Sequence, residues 1–231
     1  MTSVNLEEAV KNKKRIRIIA YSVSDYVEKR IKDVLNLIFR KHEKPDMIPV
    51  VYTCLKELLV NAVKANFKNI YFEGYKPLND ANDELAYDLS LKLFKLELTR
   101  ENASHLEEFA RRADIKAEVC IQENDDSIHI MVTNPVEMTD QEKMNVARKL
   151  ECASRYNDIT EYFMELEGKD EENEHDEGAG LGIILISMMM RNMGASQEDF
   201  TITSSGNRTT AYLKIPLANH LEFAPAHSRS A

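Results

Sequence analysis

A carboxylate, an amide and an ammonium group stand at positions 57, 61 and 64 of this chain, in the segment KELLVNAVKAN (56–66). The spacing of Glu57, Asn61 and Lys64 (i, i+4, i+7) puts all three on one face of a helix. Leu55, Leu58, Leu59, Ala62 and Val63 fill much of the remaining surface. A polar stripe on an otherwise apolar helix predicts a lined cavity, because buried polar groups require partners. A solvated helix face is the other reading of the same stripe. Further along, EGAGLGIILI (177–186) sets Gly178, Gly180 and Gly182 at alternate positions before an apolar run. Backbone N–H groups at the start of a helix, with the positive end of its dipole, suit a phosphate. An ordinary glycine-rich helix start is the alternative. Together the two segments point to a Mg²⁺-nucleotide site.

The elements that must position these groups follow from periodicity and punctuation. RIRIIAYSV (15–23) reads as a strand, and Ser24 precedes a helical pattern at Val27, Ile31, Val34, Leu35 and Ile38. The pattern stops near Lys41–Pro45, and Pro49 falls at or near the first turn of the polar-stripe helix. NIYFEGY (69–75) is strand-like, and 77–83 is a loop. Residues 84–113 read as helical in two pieces, the second opened by a capping box, Ser104-x-x-Glu107. KAEVCIQ (116–122) and IHIMVTN (128–134) form a hairpin around Asn124 and Asp125. Thr139-x-x-Glu142 is another capping box, opening a helix with Met144, Ala147 and Leu150. The acid-rich stretch 168–178 is expected to be mobile. A helix over 180–193 follows, then a last hairpin over 199–216 that turns at Ser205-Gly206-Asn207. The tail, 218–231, has no periodicity and is expected to be disordered. The methionines at 188–190 and 193, and Cys54, read as core packing.

Composition narrows the function class. The chain has 231 residues, 43% of them apolar and 30% charged, as in an ordinary globular protein. A net charge of −9 argues against general nucleic-acid binding, which requires a basic face. No apolar stretch approaches the roughly 20 residues that span a bilayer. The N-terminus lacks the apolar core of a secretory signal. Cys54, Cys120 and Cys152 are odd in number and lack metal spacing, which predicts reduced thiols and a cytoplasmic location. The histidines have no ligand spacing either.

In order and content these segments resemble the ATP-binding domain shared by gyrases, the heat-shock chaperone, histidine kinases and mismatch-repair ATPases, the GHKL superfamily. ELLVNAVKA is similar to that family's N-box, EGAGLGIILI to its second glycine box, and SSGNRTTAYLKIP to its closing hairpin. The resemblance covers roughly 46–217. It implies ATP and Mg²⁺ as cofactors, with Asn61 holding the metal and Lys64 meeting phosphate. It also implies that Glu57 acts as general base or supports the metal and its waters. Gly178, Gly180, Leu181 and Gly182 would form a lid close to the triphosphate, and Thr209 would help hold adenine. The family's first glycine box should follow IHIMV, but here the sequence is VTNPVEMTD. Asn134 therefore stands where the family has the Asp that accepts the adenine amino group, followed by Pro135 and Val136. An asparagine carbonyl accepts the same bond without charge.

The expected fold is a two-layer α/β sandwich, with a mixed, mostly antiparallel sheet covered on one face by helices. Residues 1–45 form a strand and helix packed on the domain of 46–217, which carries a helical insertion near 76–114 and a lid near 137–178. The chain lacks a helix pair bearing a phosphorylatable histidine, so it resembles stand-alone serine kinases of the anti-sigma-factor type more than full histidine kinases. The resemblance thus implies a signalling role with a protein partner, as a protein kinase or partner-switching regulator, and is compatible with a homodimer. A degenerate, non-catalytic interaction module is the alternative. ATP hydrolysis coupled to dimerisation fits less well, since no transducer domain follows.

Overall fold

A computed structural model describes residues 6–74, 104–156 and 181–217, together with parts of 90–98 and 160–164. Along the chain lie α1 (Leu6–Lys11), β1 (Ile16–Ala20), α2 (Asp25–Lys41), α3 (Met47–Gly74) and α4 (Ser104–Arg112). After them come β2 (Ala117–Glu123), β3 (Ser127–Asn134), α5 (Asp140–Arg155), α6 (Leu181–Asn192), β4 (Phe200–Ser204) and β5 (Thr209–Pro216). The five strands form one open sheet in the order β1-β2-β3-β5-β4, antiparallel at every pairing. The expected α/β layering with helices on the sheet is therefore observed.

Strand alternation decides which groups meet the helices. In β3, Ile128, Ile130, Val132 and Asn134 are buried while the residues between them are half-buried. In β5, Ala211, Leu213 and Ile215 continue the same face, and Thr209 is in phase with them. Helix α3 lies on β2 and β3 and carries the centre of the core, burying Val51, Cys54, Leu55, Leu59, Val63 and Phe67. Each large side chain buried in this way contributes roughly 1.5–3 kcal/mol. Cys54 is fully buried, and burial pushes its thiol up to about 12. All three cysteines are free thiols.

Local chemistry ends the elements where the sequence suggested. Ser24 Oγ caps α2 by accepting the Val27 N–H at 3.4 Å. At α5 the capping box is complete: Glu142 N–H donates to Thr139 Oγ1 at 3.2 Å, and Thr139 N–H donates to Glu142 Oε2 at 2.9 Å. The β4–β5 hairpin turns through Gly206 and Asn207, both with positive φ (62° and 60°), the left-handed pair that suits the twist of a two-residue hairpin.

One expectation fails. Residues 69–74, expected to be a strand, are the last turns of α3. Phe67 is buried against the core, and Ile70 and Tyr71 pack on it. Tyr71 also meets Phe94 at 5.5 Å between ring centroids, so tertiary contacts override the β-propensity of IYF. The acid-rich stretch 168–178, Gly178, Gly180, most of the 76–103 portion of the insertion and the tail 218–231 lie outside the described residues. No helix among the described residues is long and apolar enough to cross a membrane.

Candidate functional site

Between α3, the start of α5 and the Asn134 end of the sheet lies a cavity of about 430 Å³. Helix α3 gives one wall through Asn61, Ala65, Lys68 and Phe72. The floor is Val132 and Asn134 of β3 with Thr209 and Ala211 of β5, and the far wall is the segment Val136–Thr139 with Glu142 and Val146. Most of this surface is apolar, and a few polar groups converge on it, the usual character of a small-molecule site.

Three residues singled out from the sequence meet here. Asn61, Asn134 and Thr209 all line the cavity. Asn134 and Thr209 are direct register partners across β3 and β5. Thr209 Oγ1 donates to the Val136 carbonyl at 2.7 Å, and Ser204 Oγ accepts the Met138 N–H at 2.8 Å. These bonds fasten the segment after Asn134 to the closing hairpin, where the resemblance expected a glycine loop.

Glu57 and Asn61 are half-buried neighbours on α3, with Asn61 Nδ2 at 3.5 Å from Glu57 Oε1. That contact sets an amide and a carboxylate side by side, with oxygens of the type that Mg²⁺ takes alongside substrate phosphates; Asn61 lines the cavity and Glu57 does not. Among the described residues no group of three or more His, Cys, Asp or Glu side chains could hold a metal alone. Gly182, at the start of α6, packs directly on the Glu57 side chain, and Leu181 beside it is half-buried. Lys64 is exposed and does not line the cavity.

Sequence reasoning missed three residues. Lys68 lines the cavity one turn beyond Lys64 and donates to Glu142 Oε1 at 2.8 Å. Burial pushes the Glu142 carboxyl up, but the Lys68 ammonium and the Thr139 N–H outweigh it and hold the group below its ordinary value. Phe72 also reaches the cavity. Phe72 was hidden because a strand was expected from Asn69 onward, and Lys68 because the polar stripe was read only to Asn66; continuing the helical period from Asn61 through Ala65 to Lys68 and Phe72 would have found both. The third is Asn66, 1% exposed, whose Oδ1 accepts Asn134 Nδ2 at 3.4 Å.

No protein-family model matches the chain. It is similar to an uncharacterized protein of Treponema pallidum (strain Nichols), 29% identical over 191 residues, covering 83% of this chain and 35% of that protein. The chain thus spans about a third of its relative's length. A chain in the crystal structure of the SiaB-SiaC complex from Pseudomonas aeruginosa is similar at a TM-score of 0.41 and 13% identity, covering 94% of this chain and 98% of that one. A likeness of that size carries no argument about function.

Proposed function

We propose that this chain binds an adenine nucleotide with Mg²⁺ in the cavity between α3 and the β3–β5 end of the sheet, as a GHKL-type domain acting in signalling. The observation that carries the reading is the convergence of Asn61, Asn134 and Thr209, three residues from separate segments, on one cavity. The apolar floor and the Phe72 ring suit a purine, and Asn134 offers it a hydrogen-bonding edge. Asn61 would hold Mg²⁺ and Glu57 beside it would support the metal's waters; the metal would neutralise charge on the phosphates. Glu57 is then the group to orient or deprotonate an acceptor hydroxyl, as a protein kinase requires. Through such a reaction, or through nucleotide-dependent contact alone, the domain regulates a protein partner.

A second reading has its own support. Val136 is bonded through its carbonyl to Thr209, which stiffens the segment where a mobile glycine loop would admit nucleotide. On that reading the domain is a non-catalytic interaction module.

Amide chemical-shift mapping with Mg²⁺-ATP separates the two. Nucleotide binding predicts shifts clustered on Asn61, Asn134, Thr209 and Phe72. An unchanged spectrum at millimolar ATP contradicts it and favours the module.

A further inference from the structure

At the end of the sheet opposite the cavity the charge changes sign. The chain carries a net charge of −9, yet KNKKR (11–15), where α1 gives way to β1, has four cations and no anion. Lys11, Lys13, Lys14 and Arg15 are all exposed there. The register of Ile16 with Ile121 sets Arg15 at the Glu123 end of β2. Lys41, in the last turn of α2, reaches the same place. Its Nζ lies 2.8 Å from Glu123 Oε1, and Lys13 Nζ lies 4.0 Å from that oxygen. Arg40, next to Lys41, is exposed. The ends of α1 and α2 and the start of β1 thus build one basic surface.

Part of this charge has an internal use. Glu123, its side chain 2% exposed, offsets Lys41, and Asp125 accepts Lys13 Nζ at 2.6 Å. Cations in the last turn of a helix complement its dipole, which accounts for Lys11, Arg40 and Lys41. Lys14 and Arg15 lie past the last turn of α1. Neither they nor Lys11 and Arg40 have an ion-pair partner among the described residues.

Four uncompensated cations on a fixed scaffold attract an anion, and the rest of the chain limits its shape. A nucleic-acid duplex or a membrane plane extends past this surface and meets the acidic remainder of the protein. Neither KNKKR nor RKHEK (40–44) interleaves an aromatic ring to stack on a base or enter a bilayer. A short acidic segment covers the cations alone. We propose that this surface docks an acidic segment of a partner protein, a run of Asp and Glu side chains. From Ser127 at this end to Asn134 at the cavity, β3 spans roughly 23 Å, so the two sites are filled independently. The inference adds the chemistry of the partner to the regulatory reading, and it stands whether or not the cavity takes nucleotide.

The test titrates the full chain, without nucleotide, into a fluorescein-labelled octaglutamate peptide at low salt and follows the anisotropy. A labelled DNA duplex and phosphatidylserine vesicles are measured beside it. Lys14→Glu/Arg15→Glu reverses the two cations with no internal role. Lys29→Glu/Arg30→Glu, exposed near the other end of α2, makes the same change in net charge away from the surface. Both pairs are exposed, so both variants are expected to keep the wild-type melting temperature. The wild type is expected to bind the peptide, more weakly as salt rises from about 50 to 200 mM, and to bind the duplex and the vesicles less tightly. The 14/15 variant is expected to lose about tenfold in peptide affinity, and the 29/30 variant less than about threefold. A wild type that does not bind the peptide, equal losses in the two variants, or tighter binding of duplex or vesicles overturns the proposal.

Discussion

Gly182 lies so close to Glu57 that no side chain fits between them: a Cβ at Gly182 would stand 2.8 Å from both Cγ and Cδ of Glu57, and closer still to Oε1. The start of α6 and the polar face of α3 are thereby locked at van der Waals contact, at the carboxylate assigned to the metal and the acceptor. Gly182→Ala forces the flexible end of Glu57 aside and away from Asn61. The expected result is a loss of Mg²⁺-ATP affinity of tenfold or more, with little change in melting temperature. In a Glu57→Ala background the clash disappears, so Gly182→Ala there costs nothing and gains up to about 1 kcal/mol of helix propensity. Additive effects in the double-mutant cycle contradict the contact.

Asn134→Asp places a charged acceptor at the floor of the cavity. It buries a carboxylate, but the unpartnered Asn66 Nδ2 is at hand to turn and donate to it. ATP affinity is expected to rise about tenfold, since charge-assisted bonds are roughly twice as strong as neutral ones. Stability is expected to fall by about 1–3 kcal/mol. A fall in affinity, measured by calorimetry, means that the residue does not face the base.

Lys64 is exposed and outside the cavity wall, so any role for it in binding requires a charged group that extends beyond the mouth. Lys64→Ala is predicted to weaken ATP and ADP binding a few-fold and to leave adenosine binding unchanged. The ATP effect should shrink in high salt, as exposed charge pairs do. An equal loss for adenosine places Lys64 against the base instead.

Away from the cavity, Glu123 ends β2 on its core-facing side with its side chain 2% exposed. It accepts hydrogen bonds from Lys41 Nζ at 2.8 Å and from His42 Nε2 at 2.9 Å, and Lys13 Nζ lies at 4.0 Å. Burial alone raises its pKa, but the bonds from Lys41 and His42 prevail and hold it below 4.5. A depressed folded pKa contributes stability that is full above 4.5 and lost as pH falls through the folded value. Glu123→Gln is expected to cost about 2 kcal/mol at neutral pH and to flatten the acid limb of the stability curve. Denaturant melts between pH 3 and pH 7 check both; an acid limb as steep as in the wild type contradicts the assignment.

What could be read from the chain divides along physical lines. The β2–β3 hairpin, the Ser24 cap and the Thr139–Glu142 box were legible because each depends on neighbours close in sequence. Asn61, Asn134 and Thr209 were named from motifs, and the fold brings them to one cavity. Phe72 was lost because IYF favours a strand locally, while Tyr71 and Phe94, far apart in sequence, keep it helical. The Asn66–Asn134 bond spans α3 and β3, and no local signal marks one asparagine as another's support.

The most direct test of the nucleotide assignment is a calorimetric titration of Mg²⁺-ATP into the wild type and into Asn61→Ala. Binding in the micromolar to low-millimolar range, abolished in Asn61→Ala without loss of fold, is the result the α3–β3–β5 cavity predicts. Equal affinity in the two proteins, or no heat from the wild type, contradicts it.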